Sequence, residues 1–203
     1  GGRIVNSIKG VVIGLILLIG RIPVQDLLKS SGVTSNTEEF RYIILGIIII
    51  LACVLIAMRK KILIAGGFLK PNRKNYWMLF LPLFFPGLLF VVNLNFECYN
   101  GYLAIGIAVL AIVIRGLMEE VVFRGVIQGY LSKQYPGKPM HKVILITAIL
   151  FALTHIINIQ YTGIQNVLLQ LIYAFYMGLF FGALMVRINN VWLLGIIHGI
   201  VNV

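Results

Sequence analysis

The chain has 203 residues, of which 60% are hydrophobic and only 11% are charged, and its mean hydropathy is +1.00. Soluble domains carry roughly 45–50% apolar residues, so this composition excludes an ordinary soluble fold. The net charge of +11 would suggest a nucleic-acid partner in a soluble protein. Here the basic residues lie in loops between apolar segments, so we expect no nucleic acid and attribute the charge to membrane topology.

Seven apolar segments follow one another along the chain, many of them close to the roughly 17–25 residues that cross a bilayer as a helix. They cover residues 4–19, 40–58, 76–92, 102–129, 142–157, 167–186 and 191–203. The first segment resembles a signal-peptide core, but no A-x-A-like cleavage site follows it, so we predict a first membrane helix. The sequence therefore predicts an all-α polytopic transmembrane helix bundle of about seven segments, with residues 1–203 as one membrane domain in contact with the lipid bilayer.

Basic residues are concentrated in alternate loops. One set of loops holds Arg3, Lys9, Arg59, Lys60, Lys61, Lys70, Arg73, Lys74, Lys133, Lys138, Lys142 and Arg187. The opposite set holds only Arg21, Lys29 and Arg41. The positive-inside rule assigns the first set to the cytoplasm. We therefore predict a multi-pass membrane protein with its amino terminus inside and its carboxyl terminus outside.

Two glycine pairs lie in the last two apolar segments. Gly178 and Gly182 form one pair, and Gly195 and Gly199 form the other. This small-xxx-small spacing is typical of membrane helices that approach each other closely. The spacing predicts close helix contacts at these four positions.

Ionisable residues inside apolar segments are the main functional signal. Four of the six acidic residues fall in predicted loops, where solvation explains them: Asp26, Glu38, Glu39 and Glu97. Glu119 and Glu120 lie inside the fourth apolar segment, and His155 and His198 lie inside later ones. An unpaired charge in such a segment costs several kcal/mol. These four residues are therefore candidates for a functional site.

Spacing predicts partners for both glutamates, because residues four apart share a helix face. Glu120 can pair with Arg124, and Glu119 can pair with Arg115. The structural alternative is that these two ion pairs only make the burial of charge tolerable. Two adjacent carboxylates, however, point about 100° apart and disfavour each other's ionised form. That arrangement suits a site that needs one base and one anchored acid.

Helical rise predicts that the polar residues meet. Counted from the fourth loop, Glu119 and His155 differ in depth by only about 4–5 Å, in the half of the membrane nearer that loop. His198 lies within about a turn or two of the same level. His198 and Asn202 are four residues apart and project from one helix face. We expect these residues to surround one shared pocket.

Three short motifs occur in order in the second half of the chain. Residues 119–124 have the form EExxxR, residues 151–155 the form FxxxH, and residues 198–202 the form HxxxN. Their order and approximate spacing resemble the motifs of the CAAX protease and bacteriocin-processing family (CPBP, also called Abi), which includes the eukaryotic CAAX prenyl endopeptidase. The motifs fall within residues 115–203, and the first hundred residues carry none. The resemblance implies that Glu120 and Arg124 orient the first motif helix.

The resemblance also implies an activity. It implies an intramembrane endopeptidase whose site lies in a cavity reached from the cytosol. Glu119 would be the general base that activates water, His155 would assist at that water, and His198 with Asn202 would stabilise the oxyanion. The chain is similar to the prokaryotic branch of the family, so we expect a bacterial cell-membrane protein and a peptide or membrane-associated protein as substrate.

Amide hydrolysis needs an activated water and donors that point at the developing oxyanion. Glu119, His155 and His198 are also a ligand set that a catalytic Zn²⁺ ion could use. The motifs lack the HExxH arrangement that is typical of zinc proteases, so the sequence favours a Glu-dependent mechanism without settling the metal.

Two other classes of function fit the buried polar residues. A cation or proton-coupled transporter could use the same carboxylates and imidazoles to bind or relay ions. No inverted repeat or pair of broken helices is evident in the sequence, and these are the usual signs of such a transporter. A non-catalytic membrane immunity or scaffold protein is the third possibility, and it would tolerate alanine at every site residue.

Overall fold

The computed structural model describes residues 36–84, 102–137 and 139–201, and these residues form helices joined by short turns. The first part comprises α1 (Asn36–Arg59), a 3-10 helix (Arg73–Leu79) and α2 (Phe80–Phe84). The second part comprises α3 (Tyr102–Glu120), a π-helix (Val121–Gln128) and α4 (Gly129–Gln134). The third part comprises α5 (Met140–Leu153), a 3-10 helix (Thr154–Asn158), α6 (Ile159–Thr162), α7 (Ile164–Ile188) and α8 (Val191–Val201).

Three stretches of the described chain are long and apolar enough to cross a membrane. They are Tyr42–Arg59, Met140–Thr162 and Ile164–Ile188, and Val191–Val201 is a shorter apolar helix. The prediction of an all-α, multi-pass membrane protein is confirmed. The count of about seven segments stays a prediction, because residues 4–19 and 85–92 lie outside the described residues. Glu38 and Glu39, which we expected in a loop, lie in α1 because that helix already begins at Asn36.

Glycines set the spacing of the helices that carry the motifs. A Cβ added at Gly199 would lie 2.6 Å from the Ile112 carbonyl oxygen, and one added at Gly195 would lie 2.6 Å from Leu117 Cα. A Cβ at Gly178 would likewise lie 2.9 Å from Ala148 Cα. Helix α8 therefore packs backbone-to-backbone on α3, and α7 packs on α5. The predicted close helix contacts at Gly178, Gly195 and Gly199 are confirmed. At Gly182 the nearest atom to an added Cβ is a side-chain atom, Ile144 Cγ2 at 3.0 Å, so the backbones do not meet there.

Three basic loops meet at one end of the bundle. Lys133 Nζ donates hydrogen bonds to the carbonyls of Lys60 and Lys61, at 2.9 and 3.1 Å. Asn75 Nδ2 donates to the Arg187 carbonyl at 2.8 Å, which joins the loop after α1 to the end of α7. We call this end the basic end, and its cations are Arg59, Lys60, Lys61, Lys70, Arg73, Lys74, Lys133, Lys142 and Arg187.

Candidate active site

The first motif lies where α3 becomes a π-helix. Glu119 and Glu120 are the last residues of α3, and the π-helix begins at Val121 and includes Arg124. All eight residues of the π-helix are buried. The wider π turn changes the rotation per residue and is frequent at functional sites. A sequence with continuous helical periodicity gives no sign of it.

Glu120 is the anchored carboxylate. It is fully buried, and its Oε1 lies 3.0 Å from Arg124 Nη1 in the ion pair that the spacing predicted. His198 Nδ1 donates a hydrogen bond of 2.5 Å to the same oxygen. Charge-assisted hydrogen bonds of this length are among the strongest in proteins. Glu120 Oε1 therefore links Arg124 of the π-helix to His198 of α8.

Arg124 makes two further contacts. Its Nη2 donates to the Gly178 carbonyl of α7 at 3.2 Å, and its guanidinium lies 4.8 Å from the centroid of the Phe151 ring of α5. The Arg124 side chain thus contacts α7 and α5 in addition to its ion pair with Glu120 of α3. These contacts support the orienting function that the resemblance implied for this pair.

Glu119 has a different environment from its neighbour. It lines a cavity of about 400 Å³, and its residue exposure is 6%. Its Oε2 lies 3.7 Å from His198 Nε2, so His198 is placed between the two carboxylates. The predicted pair of Glu119 with Arg115 stays a prediction, although Arg115 lines the same cavity.

His155 reaches the same cavity from the end of α5. Its Nδ1 donates to the Phe151 carbonyl at 3.0 Å, so the neutral ring carries its lone pair on Nε2. The Phe151 ring packs edge-on against both imidazoles, with centroid distances of 5.0 Å to His155 and 5.8 Å to His198. Phe181 stacks on His198 at 4.7 Å with the planes 16° apart. Aromatic contacts therefore fix the orientation of both histidines.

Polar residues that we did not single out also line the cavity. Asn158 and Gln170 both line it, and Asn158 Nδ2 donates to Gln170 Oε1 at 2.8 Å. Tyr173 lines it from α7. Gln170 is a polar residue inside an apolar helix, and this signal was present in the sequence. Asn202 lies outside the described residues, so its expected position beside His198 stays a prediction.

The depth of the site differs from our expectation. The apolar segment predicted from the sequence ends at Gly129, which places about eleven residues between Glu119 and the fourth loop. The helix instead continues to Gln134, which adds about 7 Å at the helical rise. The cavity residues therefore lie farther from the basic end than the half-membrane that we had assigned to them.

The donor set does not present a preformed metal site. Among the residues that the structure describes, no three His, Cys, Asp or Glu side chains lie close enough together to hold an ion. Both ring nitrogens of His198 already lie near carboxylates.

A comparison with protein-family models matches residues 101–203 to the Type II CAAX prenyl endopeptidase Rce1-like family. No curated protein matches the chain, and no solved structure does. The matched part covers all three motifs, the π-helix and the cavity, and it amounts to half of the chain. The chain therefore belongs to the Rce1-like family of type II CAAX prenyl endopeptidases, a family of membrane proteases.

Proposed function

We propose that this protein is an intramembrane endopeptidase that hydrolyses a peptide bond with a water molecule activated by Glu119. The observation that carries the proposal is the unequal environment of two adjacent carboxylates. Glu120 is held by Arg124 and His198, whereas Glu119 lines the cavity beside His155 and His198. Such a division supplies one fixed acid and one base with access to a substrate.

The positions of these groups support the following reaction. Glu119 removes a proton from water as the oxygen attacks the scissile carbonyl, and the carbonyl becomes an oxyanion. The His155 Nε2 lone pair accepts the second hydrogen of the water and orients it. Protonated Glu119 then gives its proton to the leaving amine, so the products are a carboxylic acid and an amine.

The oxyanion needs a positive or hydrogen-donating partner. His198 Nε2 lies 3.7 Å from Glu119 Oε2, so it is the ring nitrogen of His198 that faces the reacting groups and can donate a hydrogen bond to the oxyanion when it carries a proton. The side-chain amide of Asn202 is expected to add a second donor. One oxyanion donor is worth roughly 2.7–4 kcal/mol in the transition state.

The substrate is a peptide or a membrane-associated protein. The name of the family refers to prenylated substrates, and a peptide without a prenyl group is the expectation for a chain similar to the prokaryotic branch. The cavity of about 400 Å³ has space for a few residues of an extended segment.

The test is cleavage of a panel of fluorogenic peptides by the purified protein in detergent or nanodiscs. Glu119→Gln keeps the size of the side chain but removes the base, so we expect a loss of at least about 10²-fold in kcat. Glu39→Gln makes the same change in a second, smaller cavity and is the matched control. Equal cleavage by the wild type and by Glu119→Gln would refute the proposal. A parallel series with a chelator tests whether a metal takes part.

A further inference from the structure

The cavity lies toward the end of the bundle that is opposite to the basic end. Glu119 is 15 residues from Gln134, His155 is 15 residues from Met140, and Tyr173 is 15 residues from Ile188, each of which corresponds to about 22 Å at the helical rise. The three counts run along different parts of the bundle, and they place Glu119, His155 and Tyr173 at the same distance from the basic end. The hydrocarbon core is about 30 Å thick, so this level is beyond its middle when the basic end lies at the interface.

The exposure of the lining residues indicates where the cavity opens. His198, at the inner wall, is 1% exposed, whereas Tyr173 is 49% exposed. Arg115 is also exposed, and Asn158 and Gln170 are partly exposed. Gln170 is only six residues from the start of α7, which places it about 9 Å from the end opposite to the basic loops. The polar mouth of the cavity therefore faces that end.

The charges of the connecting segments differ between the two ends. Residues 154–163, which connect α5 to α7 beside the mouth, contain no Lys, Arg, Asp or Glu. The basic end holds nine cations in the described residues, and its loops are joined by direct hydrogen bonds. The described arginines toward the opposite end are Arg41, near the start of α1, and Arg115, which lines the cavity. Cytoplasmic loops carry the excess of Lys and Arg in membrane proteins. The basic end is thus the cytoplasmic end, and the mouth faces the other side.

We propose that the substrate peptide reaches the site from the non-cytoplasmic side of the membrane. The resemblance implied entry from the cytosol, and the geometry of this chain favours the opposite direction. The substrate is then a peptide or protein segment that has already crossed the membrane, or one that emerges from the non-cytoplasmic leaflet. This inference rests on the proposed function, but the side of the membrane to which the cavity opens can be tested without any catalytic activity.

The test is the accessibility of single cysteines to a membrane-impermeant maleimide in sealed, right-side-out vesicles. Cys98 is replaced by Ser, and Cys53 stays because it is fully buried. Gln170→Cys reports on the mouth, and Arg73→Cys reports on the basic end. We expect Gln170→Cys to be labelled in sealed vesicles and Arg73→Cys only after permeabilisation. Labelling of Gln170→Cys only after permeabilisation, or under neither condition, would overturn the inference.

A second measurement separates this inference from the proposed function. A cleavable peptide is added to sealed right-side-out vesicles and, in parallel, to inverted vesicles that contain the wild-type protein. We expect the peptide to be cleaved by the right-side-out vesicles and not by the inverted vesicles. Labelling as expected, with no cleavage in either preparation or in detergent, would refute the protease proposal and leave the direction of opening intact. Cleavage only in inverted vesicles would refute the direction and support the protease.

Discussion

Glu120 and His198 are 78 positions apart in the chain, and their side chains share a hydrogen bond of 2.5 Å between Glu120 Oε1 and His198 Nδ1. Arg124 Nη1 lies 3.0 Å from the same oxygen. The three side chains are at most 1% exposed, so water does not screen their interaction. This cluster fixes the first motif to the third, and it makes the site part of the stability of the bundle.

Replacing Glu120 by alanine should destabilise the protein strongly. The change leaves the Arg124 cation buried without its carboxylate, which typically costs roughly 3–5 kcal/mol. For a chain of this size that corresponds to a fall of about 6–20 °C in the midpoint of thermal unfolding. Thermal unfolding in detergent, followed by fluorescence, measures the shift. Glu39→Ala is the control, and an equal midpoint for the two variants would contradict the importance of the cluster.

The three-motif site could be predicted from the sequence in outline. The i,i+4 spacing predicted the Glu120–Arg124 pair, which the structure contains. The helical rise predicted that Glu119, His155 and His198 lie near one another, and all three line one cavity. The difference between the two glutamates was expected only in general terms. Glu120 is the anchored carboxylate because it accepts a hydrogen bond from His198. His198 is 78 positions away in the chain, so the sequence around the two glutamates does not predict that contact.

Other features depend on the way the helices pack. The π-helix is not visible in hydrophobic periodicity, because its residues are buried on all sides. The depth of the site differed because α4 extends five residues beyond Gly129. The Phe151 ring, part of the FxxxH motif, contacts groups from two other helices, and these contacts depend on how α5 packs in the bundle.

Replacing Gly199 by alanine should separate α8 from α3. The added methyl group would lie 2.6 Å from the Ile112 carbonyl oxygen and 3.0 Å from Val113 Cα, and neither backbone atom can move aside alone. Overpacking of this kind costs roughly 1–3 kcal/mol. Since His198 precedes Gly199, its bond to Glu120 should lengthen and peptide cleavage should fall. Gly106→Ala is the matched control, because its Cβ would meet no atom within 4 Å. Unchanged stability and cleavage in Gly199→Ala would show that the close approach is not needed.

Replacing Phe151 by leucine should reduce cleavage more than it reduces stability. The ring packs against both imidazoles and lies beneath the Arg124 guanidinium, and leucine keeps most of the apolar volume without these contacts. We expect kcat to fall about tenfold, which corresponds to about 1.4 kcal/mol in the activation free energy. Phe40→Leu, on the exposed surface of α1, is the control. A change in KM alone would indicate that Phe151 contacts the substrate and does not orient the histidines.

Replacing Arg124 by lysine should be poorly tolerated although the charge is kept. The planar guanidinium lies beside Glu120 Oε1, donates to the Gly178 carbonyl and stacks over Phe151, and a single ammonium group cannot occupy all three positions. The loss of the hydrogen bond to a buried carbonyl costs roughly 1–3 kcal/mol, so we expect a lower unfolding midpoint together with slower cleavage. Arg187→Lys, an exposed position at the basic end, is the control and should behave like the wild type. If Arg124→Lys retains full stability and activity, the cation alone suffices, and the fork geometry of the guanidinium does not position the motif.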